Sequence, residues 1–150
     1  MKVVRVSHVA VATDALAALK RVFGDTLQLP LMKEARFPSG TEMAMFRLGN
    51  LDMEVVQNPS PESLPGRFVR EKGGGGYYHL CLEVDDLPGA VAELAARGVQ
   101  PLAGAPTRGA HGEPVVFLDP ASTGGLMFEL TQVYERGAAH APQAENTLAH

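Results

Sequence analysis

The sequence predicts an α+β fold in which one β-α-β-β unit is written twice and followed by a short tail. Three observations predict it. Each half opens on a β-rich run that leads into a helical stretch, VVRVSHVAVA in the first and YYHLCLEV in the second. Each half closes on two strands around a turn, TEMAMFRLGNLDMEVVQ and EPVVFLDPASTGGLMFELTQ. Between the halves stands QNPSPESLPGRFVREKGGGG, with a proline-rich entry, a helical patch in GRFVREK and four consecutive glycines. The expected division is a first module at 1–57, a linker at 58–76, a second module at 77–135 and a tail at 136–150, all forming one domain.

The elements follow from local pattern. In TDALAALKRVFGDTLQL the residues Leu16, Leu19, Val22 and Phe23 recur at helical spacing. The first strand pair turns at GN and the second at DPASTGG. In DDLPGAVAELAARGV, Asp85 or Asp86 is the N-cap, Ala90, Leu94 and Ala95 share a face, and Gly98 ends the helix. Glu83, Asp85 and Asp86 stand at a strand end before a helix, where solvation and capping account for them. RGAAHAPQAENTLAH is small and polar without periodicity, which predicts a flexible tail.

Composition narrows the function classes. A chain of 150 residues, 45% hydrophobic and 20% charged, suits one globular domain with a real core. Thirteen basic against 17 acidic side chains leave a net charge of −4, which offers no footprint for nucleic acid or an anionic membrane. No apolar run reaches the roughly 18 residues of a membrane span, and the first residues lack a signal-peptide pattern. The expectation is a cytoplasmic protein. The one cysteine, Cys81, lies in an apolar strand run and cannot form an internal disulfide, which fits a reducing compartment. The absence of GxGxxG, P-loop, CxxC and nucleophile-elbow patterns argues against dinucleotide, nucleotide and acyl-enzyme chemistry.

The candidate site comes from overlaying the halves. His8 and His79 fall on the first strand of each unit, and Glu54 and Glu129 near the end of the last. Singly, a strand histidine is usually a core or surface residue and a strand glutamate usually faces water. Their repetition at equivalent places carries the argument. If the units pair about a pseudo-twofold axis, the four side chains converge in one cleft. Two imidazoles and two carboxylates suit Zn, Ni, Co, Mn or Fe(II), with positions left for water or substrate.

SHVAVA, YYHLCLEVDDLPGAVAELAARGV and RGAHGEPVVFLDPASTGGLMFELTQ together resemble the vicinal oxygen chelate superfamily, and within it the methylmalonyl-CoA epimerase family more than glyoxalase I. The resemblance runs from about residue 4 to 133 and is most specific between Gly109 and Gln132. It implies paired βαβββ modules whose curled mixed sheets surround a metal cleft, with His8, Glu54, His79 and Glu129 as ligands of a divalent ion such as Co, Ni, Mn or Zn. It also implies a homodimer and an acyl-CoA-like substrate whose α-proton moves through a metal-stabilised enolate. Glu129 resembles the residue that is both ligand and one catalytic base. Some members carry a second base where this chain has Met43; neighbouring Glu42 takes that role only if a bulge or register change turns it inward. Asp119 and Ala121 replace a common His and Lys, and Tyr78 replaces a common His.

His111, in the glycine-flanked loop RGAHGEP, is a candidate substrate contact, and Arg67, Arg70 and Lys72 are candidates for CoA phosphates or ordinary surface charge. The same four ligands also suit a glyoxalase I-like lyase. A ring-cleaving dioxygenase needs two His and one carboxylate around Fe(II), so a fourth donor at Glu54 argues against it. A non-catalytic small-molecule binder generally lacks the metal set.

Overall fold

A computed structural model describes residues 1–133; the expected flexible tail at 136–150 lies outside the described residues. The chain runs through β1 (Val3–Thr13), α1 (Leu16–Lys20) continued by a π-helical segment (Arg21–Thr26), β2 (Leu31–Arg36), β3 (Glu42–Arg47), β4 (Asp52–Gln57) and α2 (Leu64–Glu71). It continues through β5 (Gly75–Val84), α3 (Leu87–Ala96), β6 (Thr107–Arg108), β7 (Pro114–Phe117), a 3-10 turn (Pro120–Ser122) and β8 (Phe128–Gln132). Each half is therefore β-α-β-β-β, one strand more than the pattern of its residues shows. The added strands have weak signatures: β2 reads LMKEAR, whose charges break any apolar alternation, and β6 has two residues.

Two compact units are present, and the division falls inside β1. One comprises Val9–Tyr78, and the other joins Met1–His8 to residues 79–133 among those described. In the unit Val9–Tyr78 the strand order is β2-β3-β4-β1. The β3–β4 hairpin is antiparallel and pairs without a shift from Glu42↔Gln57 to Arg47↔Asp52. Strand alternation then puts Ala44, Phe46, Met53 and Val55 on one face, where they form a core with Leu16, Leu19 and Phe23. The Phe23 and Phe46 rings meet at 5.5 Å. Val22, expected on that helical face, is 42% exposed. Around it the helix has left the 3.6-residue period, and Leu27 N–H donates to Val22 C=O five residues back.

The linker is built rather than loose. Ser63 caps α2 by accepting from the Gly66 N–H at 3.0 Å, and Phe68 packs on Tyr78. The glycine run enters β5 at Gly75, whose φ of 138° suits glycine and whose Cβ would stand 2.4 Å from the Ala12 carbonyl oxygen.

In the other unit the strand order is β1-β5-β8-β7-β6, with β5 parallel to β8 and β7 antiparallel to both β8 and β6. Asp86 caps α3, its Oδ1 accepting from the Gly89 N–H. Asp85 accepts instead from the Lys2 N–H. Leu87, Ala90 and Leu94 of α3 pack on Val84, Val116 and Leu130. No helix among the described residues is long and apolar enough to cross a membrane.

Phe46→Ala is expected to lower stability by about 3–5 kcal/mol in urea unfolding, because the core beside Phe23 cannot close over the lost ring. Val22→Ala should change it by less than about 0.5 kcal/mol, since its side chain is partly in solvent.

Candidate metal centre

The polar side chains of β5 are sorted by strand period. Leu82 and Val84 belong to the core under α3, so His79, Cys81 and Glu83 fall on alternate positions and face the other way. β8 lies parallel with Glu129 opposite Cys81 and Thr131 opposite Glu83. Phe117 of β7 is opposite Glu129 in turn. β1 supplies His8, the last of its residues in this unit.

His8, His79 and Glu129 are all buried, and one ligating atom from each lies within 4.8 Å of the other two. Nε2 of His8 is 3.1 Å from Nε2 of His79. The Glu129 carboxylate spans the pair, Oε1 at 3.7 Å from His8 Nε2 and Oε2 at 3.6 Å from His79 Nε2. Burial, and then the charge His8 would carry, hold the pKa of His79 well below the ordinary 6.5. A neutral imidazole with an available lone pair is the result. The ring of His79 meets Phe117 edge-on at 5.2 Å, and Nδ1 of His8 lies 3.2 Å from the Ser7 hydroxyl.

The same face corrects the sequence reading of Glu83. Capping and solvation do not account for it: its side chain is fully buried, and Oε2 accepts from Arg5 Nε at 2.7 Å. Counting in twos from His79 would have revealed this placement. Ser7 and Phe117 were also missed, and neither has a sequence signature apart from the histidine it touches.

The remaining candidates are described each within its own unit. Glu54 is buried on β4 in the unit Val9–Tyr78, opposite Met45 and on the sheet face of Met43 and Val56. Glu42 is on the opposite face of that hairpin and ion-paired with Arg36. The unbroken β3–β4 register means that the bulge required to turn it inward does not form. His111 is half-buried in the loop before β7, outside the three-residue cluster, and its backbone N–H donates to Glu113 Oε2. Arg67, Arg70 and Lys72 are exposed on and just after α2, with Lys72 over the Phe68 ring. Asp119 caps the 3-10 turn through the Ala121 N–H.

Two buried imidazoles and a buried carboxylate match the donor chemistry of borderline divalent ions such as Zn, Co, Ni and Mn. The residues fit such an ion. Over residues 7–117 the chain matches the Glyoxalase/Bleomycin resistance protein/Dioxygenase superfamily. It belongs to that superfamily. Among curated proteins it is 33% identical over 132 residues to the mitochondrial methylmalonyl-CoA epimerase of Mus musculus, covering 87% of this chain and 74% of that one. It is 34% identical to the ethylmalonyl-CoA/methylmalonyl-CoA epimerase of Cereibacter sphaeroides, covering 86% and 98%. Among solved structures, a Streptomyces coelicolor methylmalonyl-CoA epimerase in complex with 2-nitronate-propionyl-CoA superposes with a TM-score of 0.77 at 21% identity, covering 87% of this chain and 95% of that one. Within its superfamily this protein is an epimerase, with the methylmalonyl-CoA epimerases as its relatives. The α+β fold of paired βαβββ modules is theirs.

Zinc titration followed by calorimetry should find tight binding that His79→Ala weakens by more than the roughly 10- to 100-fold typical of losing an outer-shell partner. Equal affinity in the two proteins would rule out the cluster as the binding site.

Proposed function

We propose that the protein epimerises methylmalonyl-CoA or a close acyl-CoA relative by moving its α-proton, at a metal centre held by His8, His79 and Glu129. The observation that carries the reading is the buried cluster itself, in a chain whose relatives are epimerases. Glu54 is proposed as the fourth ligand on the strength of the sequence repeat. A divalent ion bound there supplies positive charge to substrate oxygens that become negative as the α-proton leaves.

The rest of the work falls to side chains. His79 stays neutral because burial opposes its protonation, so its Nε2 remains available to a cation. Glu129 has two carboxylate oxygens and, between the imidazoles, uses one toward the cation and the other to take the α-proton from one face of the substrate, while inversion requires a proton delivered to the opposite face by a second donor. Burial of all three groups excludes the water that would otherwise screen their charges. Glu42 is assigned no proton transfer, because its carboxylate is engaged by Arg36 on the face away from Glu54. His111 is retained as a candidate substrate contact, and Arg67, Arg70 and Lys72 as contacts to the CoA phosphates. A cytoplasmic homodimer completes the reading, supported by the buried lone cysteine and by the family resemblance.

The deciding experiment is NMR of α-proton exchange from methylmalonyl-CoA in deuterated water. Cobalt-loaded protein should exchange the proton, and metal-free protein and Glu129→Gln should lose the activity. Metal bound stoichiometrically without exchange would overturn the substrate assignment and direct attention to hemithioacetals. Glu42→Ala should keep the exchange rate within about threefold of wild type, as a partly exposed residue outside the chemistry does.

A further inference from the structure

We propose that Ser7 is a positioning residue for the metal centre: its hydroxyl accepts the Nδ1 proton of His8 and so turns the lone pair of Nε2 toward His79 and Glu129. This role rests on the metal-binding reading above. Ser7 and His8 are each 5% exposed, and Ser7 Oγ lies 3.2 Å from His8 Nδ1. A buried hydroxyl requires a hydrogen-bond partner, and His8 supplies one.

The consequence lies at the far side of the ring. A neutral imidazole carries one N–H, and whichever nitrogen lacks it can donate a lone pair. His8 Nε2 is the atom 3.1 Å from His79 Nε2 and 3.7 Å from Glu129 Oε1. With the proton on Nε2, His8 would point a hydrogen into the cluster and could not ligate there. With the proton on Nδ1 and received by Ser7, Nε2 is an acceptor. His79 has a different kind of support, the edge contact with Phe117. The two imidazoles are thus held by unlike means, His8 through a hydroxyl and His79 against an aromatic ring. Ligating histidines whose second nitrogen meets a fixed polar partner bind metal more tightly, since neither tautomer nor ring angle has to be selected on binding.

The test compares wild type, Ser7→Ala and Ser7→Thr by 15N NMR of the imidazoles in metal-free protein and by zinc titration, with melting temperatures to confirm folding. Metal-free wild type should carry the His8 proton on Nδ1. Ser7→Ala should lose that preference and bind zinc about 10-fold or more weakly. Ser7→Thr, which keeps the hydroxyl, should restore both. A His8 proton on Nε2 in wild type overturns the proposal without any variant. Wild-type zinc affinity in Ser7→Ala, or a folded Ser7→Thr that restores nothing, also overturns it and leaves the metal centre standing. A wild-type protein that binds no zinc overturns the metal-centre reading and this role with it.

Discussion

In the unit that carries the cluster of His8, His79 and Glu129, α3 covers one sheet face, and the two-residue period of β5 and β8 sends their other side chains to the opposite face. Val84 and Leu130 go to the helix, while His79, Cys81, Glu83 and Glu129 go to the site. Burying a carboxylate or imidazole is unfavourable unless it is hydrogen-bonded or paired, at a cost of several kcal/mol for an unpaired ion. Here the polar row is anchored at one end by the Arg5–Glu83 pair and gathered at the other around His8, while apolar contacts beneath α3 stabilise the same strands. The core and the site are consequently two sides of one register. A slip of one residue between β5 and β8 would exchange them.

The tight grouping also shapes the electrostatics. Burial makes protonation of His79 unfavourable, and a positive His8 3.1 Å away would make it more so. His79 therefore stays a neutral imidazole, the form in which a ring nitrogen can act as a donor. Glu129 spans both without lying within hydrogen-bonding distance of either Nε2.

Much of this was legible in the sequence where it had a period or a repeat. The strand runs, the α3 helix with an aspartate cap and Gly98 at its end, and the equivalence of His8 with His79 all follow from spacing. What escaped lacked such regularity. β2 is charged on alternate and adjacent positions alike, and β6 is too short for alternation to register. The turn at Val22 could not be seen because a π-helical segment breaks the period on which the expectation rested. Glu83 was misjudged by its nearness to the helix cap, although its parity with His79 pointed to the interior. Glu42 and Glu54 illustrate the same rule across a hairpin, since opposite parity and an unbroken register put the two carboxylates on opposite faces.

The division of the chain within β1 separates the sequence repeats from the compact units. His8 belongs to the first sequence repeat but packs in the compact unit that holds His79 and Glu129, both from the second. The three-residue cluster is therefore the property of neither repeat alone. Neither half of the sequence, taken by itself, contains all three side chains.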